Sequence, residues 1–153
     1  MRYMFLIYSR ERDFAVASAE DREQIKAGHW AVMDETRKRG VLLAGEPLQP
    51  TSTATTIRKE NGKPFVLDGP FAETKEQLAG YYILDCRNLD EAIEWATKIP
   101  TACRGGEGCV EIRPIGDIPP REKGAKRRCR NRPRFALRLR RCFAANTAGL
   151  LPA

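Results

Sequence analysis

Hydrophobic positions along the chain alternate between two periods. Tyr3 to Tyr8 reads YMFLIY, apolar on both faces and short enough for a buried strand. Ser18 to Asp21 has the form of a capping box. Ile25, His29, Val32, Met33 and Thr36 then share one helical stripe, which Gly40 is suited to end. Val41 to Ala44 reads as a second strand closed by Gly45, Pro47 and Pro50, and Ser52 to Lys59 as a threonine-rich third. Asn61-Gly62 is a hairpin signal ahead of a fourth strand, Lys63 to Leu67.

Beyond the loop Asp68-Gly69-Pro70-Phe71, residues Ala72 to Gln77 read as a short helical turn, and Gly80 to Cys86 as a strand. Asn88 to Glu91 opens a second helix with Leu89, Ala92, Ile93 and Ala96 inward and Pro100 as its stop. Val110 and Ile112 alternate with Glu111 and Arg113 in a last strand with one wet face. Two split βαβ units in this order predict an α+β ferredoxin-like sandwich over residues 1–118. Both helices then cover one face of an antiparallel sheet. The first strand and Tyr81 to Leu84 are apolar on the other face too, so a homodimer packed sheet to sheet is expected.

The chain has 153 residues, 42% hydrophobic and 31% charged, a balance that excludes a disordered or multi-domain reading. No apolar run reaches the roughly 18 residues of a membrane span, and residues 1–20 carry no secretory pattern, so a cytoplasmic location is expected. The formal charge of +7 is unevenly spread. Residues 119–153 hold 11 Lys/Arg and one acid, whereas residues 1–118 hold 16 Lys/Arg and 19 acids. The basic pI therefore belongs to a C-terminal tail, expected to be largely disordered and to attract polyanions without sequence preference. Phe135, Leu139, Cys142 and Phe143 share a helical stripe within it, which leaves a basic amphipathic helix as the other reading.

Few residues are candidates for chemistry. The five cysteines form no CxxC pair and His29 is the one histidine, so neither a metal nor a cofactor is expected. Gly105-Gly106-Glu107-Gly108 precedes a strand and lacks the GK[ST] ending of a phosphate loop. His29 lies on the sheet-facing stripe of the first helix, as an acid/base group or as a core histidine with one satisfied hydrogen bond. In the loop Asp68 to Glu76, Gly69 and Pro70 set the turn, Phe71 is an anchor, and Asp68, Glu73 and Lys75 supply charge. Asp68 either presents a carboxylate to a ligand or caps the turn that follows.

Met1-Arg2-Tyr3-Met4, Gly45-Glu46-Pro47-Leu48, Asp68 to Glu76 (DGPFAETKE) and Gly80-Tyr81-Tyr82 together resemble the DGPF-domain branch of the YCII-related (YciI-like) family. The resemblance spans residues 1–118 and implies a ferredoxin-like domain that dimerises into an α/β barrel. It also implies a cleft between sheet and helices with a histidine, here His29, and an aspartate before a proline at the end of the second helix. Ile99 stands at the aspartate position, ahead of Pro100. The expected function is binding of a small organic ligand in the cleft under the DGPF loop, with lyase- or hydrolase-like acid/base chemistry by His29 assisted by Asp68 and contacts from Phe71, Glu73 and Lys75. The alternative implied by the resemblance is a regulatory partner of an extracytoplasmic-function sigma factor.

Overall fold

The structure, a computed structural model, describes residues 1–102 and 107–119. The expectations for the basic tail from residue 120 onward fall outside the described residues. Met1–Asp117 forms one compact unit.

Its main sheet has four antiparallel strands. β1 (Arg2–Ser9) lies between β5 (Gln77–Asp85) and β6 (Gly108–Pro114), and β2 (Leu42–Pro47) pairs with the far side of β5. The order β2-β5-β1-β6 is that of a ferredoxin-like α+β fold. β3 (Thr55–Glu60) and β4 (Lys63–Asp68) form a separate two-stranded hairpin. Its turn holds Asn61 at φ 51° and Gly62 at φ 79°, the paired left-handed geometry for which Asn-Gly is selected.

The helix α2 (Ala19–Lys38) starts where the Ser18 hydroxyl accepts the Asp21 N–H at 3.0 Å and stops at Gly40, whose φ of 69° a side chain would disfavour. The helix α3 (Leu89–Ala96) is capped by Asn88, which accepts the Glu91 N–H at 3.0 Å; Glu91 in return accepts the Arg87 N–H at 2.8 Å. Tyr3, Phe5 and Ile7 of β1 and Tyr82 and Leu84 of β5 pack under Val32 of α2 and Ala92 and Trp95 of α3. Ile99, at the position where the resemblance implies an aspartate, is buried in this core. On the opposite face Met4 pairs with Ile83 and Leu6 with Tyr81, and all four side chains are half-buried.

Several boundaries differ from the sequence reading. Residues Ala72 to Glu76 form bends rather than a helical turn, and Gln77 already belongs to β5. The loop satisfies its carbonyls with side chains instead: Arg58 donates to Phe71 O at 2.9 Å, Thr74 to Glu76 O at 2.6 Å and Gln77 to Thr74 O at 2.5 Å. With no helix there, Asp68 caps nothing, and the Gly69 N–H donates to Ala54 O at 2.8 Å. β2 runs on through Gly45 to Pro47, which is tolerated because β2 is an edge strand. Thr51–Thr53 is a 3-10 turn, so β3 begins later, at Thr55. A short helix α1 (Glu11–Val16), absent from the sequence reading, is tied down where Glu11 accepts the Thr51 N–H at 2.6 Å and its hydroxyl at 2.9 Å.

Candidate functional site

A cavity of about 740 Å³ opens between α2 and the strands β2 and β5. Its helical wall is set by spacing alone. Lys26, His29, Trp30, Met33 and Arg37 fall at intervals of three and four and therefore share one stripe of α2. The facing wall is Leu42, Gly45 and Pro47 of β2 with Gly80 and Tyr82 of β5. Small residues make the room: Gly45 pairs with Tyr82 and Pro47 with Gly80. A Cβ on Gly45 would meet Tyr82 Cδ1 in hard overlap, and one on Gly80 would meet Glu46 O at 2.9 Å. Gly45 is thus the seat on which the Tyr82 ring lies.

His29 Nδ1 stands 3.0 Å from Tyr82 Oη, among the described residues the one side-chain hydrogen bond that crosses the cleft from helix to sheet. The two rings are tilted, with centroids 6.1 Å apart. Burial pushes the His29 imidazole below its ordinary value of 6.5, so it is neutral at pH 7. Burial likewise pushes the Tyr82 phenol above 10.0, which keeps its proton in place. A neutral imidazole with Nδ1 engaged has Nε2 left for a cavity ligand. If Nδ1–H donates to Tyr82, Nε2 is a base that can return the proton it takes; if the phenol donates, Nε2–H is a hydrogen-bond donor. The pair can serve both halves of a proton-transfer cycle without a metal.

The loop candidates lie elsewhere. Asp68 ends β4 exposed, and Phe71 is 77% exposed. Glu73 is exposed as well. None of these three lines the His29 cavity. Lys75 lines a separate recess of about 420 Å³ with Arg10, Glu11, Arg12, Thr74 and Gln77. Within a protomer the fold therefore brings His29 together with Tyr82, not with the acidic loop. Among the described residues no three of His, Cys, Asp and Glu gather closely enough to hold a metal ion, and no helix is long and apolar enough to cross a membrane.

Tyr82, Lys26, Trp30 and Arg37 are among the members of the cleft that sequence reasoning missed. The stripe through His29 extends to Trp30 and Arg37 at the same spacing, a signal present in the sequence. For Tyr82 the signal was weaker, since strand alternation places either Tyr81 or Tyr82 inward and only the register with Gly45 selects the second.

Comparison with known proteins agrees with this architecture. The model of the YCII-related domain matches residues 1–119. An uncharacterized protein of Rhizobium meliloti (strain 1021) is 38% identical over 122 residues, covering 80% of this chain and 98% of that protein.

Proposed function

Because the chain belongs to the YCII-related domain family, and because its one histidine meets a buried phenol in the wall of its main cleft, we propose that it binds a small organic molecule there. His29 is the acid/base group of this reading and Tyr82 the residue that orients it. The observation that carries it is the 3.0 Å contact between His29 Nδ1 and Tyr82 Oη in a cavity of about 740 Å³. Elimination or hydrolysis suits one neutral imidazole that can take and return a proton.

Two further parts belong to the reading. A homodimer formed through the open sheet face would cover Met4, Leu6, Tyr81 and Ile83, which are half-buried in the protomer. The DGPF loop, with Asp68, Phe71, Glu73 and Lys75, would reach a His29 cleft only from that partner, so its contribution to ligand binding stands or falls with the dimer. Native mass spectrometry of the full chain tests the main claim. The purified protein is expected to retain an organic ligand that His29→Gln releases; equal retention by both would remove His29 from the site.

A further inference from the structure

The cleft also constrains the chemistry of what enters it. On α2, Lys26 and Arg37 lie almost in line along the helix, eleven residues or about 16 Å apart, with Trp30 and Met33 between them. His29 sits deeper, toward the sheet, where it bonds Tyr82. The wall is therefore an apolar floor with a cation at each end. The two cations are not equally committed. Lys26 donates to Glu23 at 2.7 Å. Arg37 lines the cavity, half exposed, and pairs only loosely with Asp34 at 3.6 Å; among the described residues its guanidinium makes no hydrogen bond, so its donors are available to a ligand.

The one acid of the cavity wall is Glu46. Gly45 and Pro47 are registered with Tyr82 and Gly80 on the helix-facing pleat, so Glu46, between them, belongs to the opposite pleat with Tyr81. The His29 imidazole, neutral at pH 7, supplies no charge of its own. Anion recognition in this cleft therefore falls to the helix cations. A planar guanidinium matches a carboxylate in two parallel hydrogen bonds.

We propose that the ligand of the His29 cleft is an amphipathic organic carboxylate. Its apolar body lies on Trp30 and Met33, its reacting end is at His29, and its carboxylate is held by Arg37. His29 and Arg37 are eight residues or about 12 Å apart along the helix, which sets the separation between reacting centre and anion. This inference rests on the proposed function and adds the ligand class to it.

The test uses two probes that differ only in the anion, 6-phenylhexanoate and 6-phenylhexan-1-ol. The single histidine of the chain gives one Cε1–H imidazole signal in a proton–carbon correlation spectrum, so shifts at His29 report cleft occupancy directly. The acid is expected to bind the wild-type full chain at least about tenfold more tightly than the alcohol, as one charge-assisted bidentate contact implies. Arg37→Gln should weaken the acid by about that factor, leave the alcohol within about twofold and keep the His29 signal of the free protein unchanged, with Arg37→Lys recovering part of the loss. Equal binding of acid and alcohol, or an equal loss of both in Arg37→Gln, overturns the carboxylate assignment while leaving the cleft reading in place. If neither probe moves the His29 signal at millimolar concentration, the cleft reading falls and this inference falls with it.

Discussion

Replacing Tyr82 by Phe removes one oxygen from the cleft and keeps the ring on its Gly45 seat. Tyr82 is 5% exposed, so its hydroxyl has little water to replace His29 as a partner. His29 is half-buried and borders an open cavity, so its own nitrogen can be rehydrated. The loss is then that of one ordinary buried hydrogen bond, about 1 kcal/mol, rather than the larger penalty of stranding a dry partner. For a compact unit of this size that corresponds to a fall of roughly 4 °C in Tm.

A single variant cannot separate this bond from packing, but a cycle with His29→Ala can. If the bond is real, Tyr82→Phe costs about 1 kcal/mol in the wild type and is neutral or stabilising when His29 is already Ala, because the hydroxyl is then buried without its partner, giving a coupling of at least about 1 kcal/mol. Urea denaturation of the four proteins at one fixed protein concentration measures it, since self-association would otherwise move the midpoints. Additivity within about 0.3 kcal/mol would refute the hydrogen bond and, with it, Tyr82 as the group that orients the imidazole.

Further outcomes follow from the same geometry. Because the folded His29 lies below 6.5, the unfolded chain takes up a proton first as pH falls; stability should decline from about pH 6.5 downward until the folded imidazole protonates, and His29→Ala should flatten that stretch of a stability–pH curve. Glu35, lowered by its hydrogen bond from Lys98, and Glu91, lowered by the Arg87 N–H, act in a separate window, their contribution being lost as pH falls below 4.5. Gly45→Ala drives a methyl into the Tyr82 ring and should destabilise by about 1–3 kcal/mol while breaking the His29 contact, seen as a shifted imidazole signal. Sedimentation of the full chain should give a dimer that Leu6→Lys converts to a monomer, and a monomeric wild type at micromolar concentration would remove the sheet-face argument.

The ferredoxin-like plan was legible because its signals are local and mutually consistent. Ser18, Asn88 and Gly40 mark helix ends by chemistry that acts within four residues, and Asn61-Gly62 fixes a turn that admits few other sequences. What failed was set by distant partners. Ala72 to Glu76 has the composition of a helical turn, yet Arg58 of the neighbouring hairpin holds the Phe71 carbonyl just before it, and Thr74 and Gln77 take the Glu76 and Thr74 carbonyls locally. α1 exists because Glu11 reaches Thr51, forty residues away in the chain. The site divided the same way. His29 could be placed from helical spacing, but its partner could not, because Tyr82 is selected only by strand register and by the glycine opposite it.

Ile99 and Tyr82 together explain why the cleft divides its labour between two places on α2. A carboxylate beside an imidazole favours the charged ring and makes one group serve both proton transfer and anion binding. Here the position that the resemblance reserves for an aspartate is an isoleucine in the core, packed in the same cluster as Val32 and Trp95. His29 is left with a phenol whose proton burial holds firmly, so the ring stays neutral and keeps a lone pair or a donor at Nε2 rather than a charge. A neutral imidazole cannot anchor an anionic ligand by itself. The charge that would do so lies on Arg37, two helical turns further along the same stripe, where solvent access spares the desolvation penalty that a cation beside Tyr82 would incur. Under the proposed reading, proton transfer falls to the buried end of the cleft and electrostatic capture to its mouth.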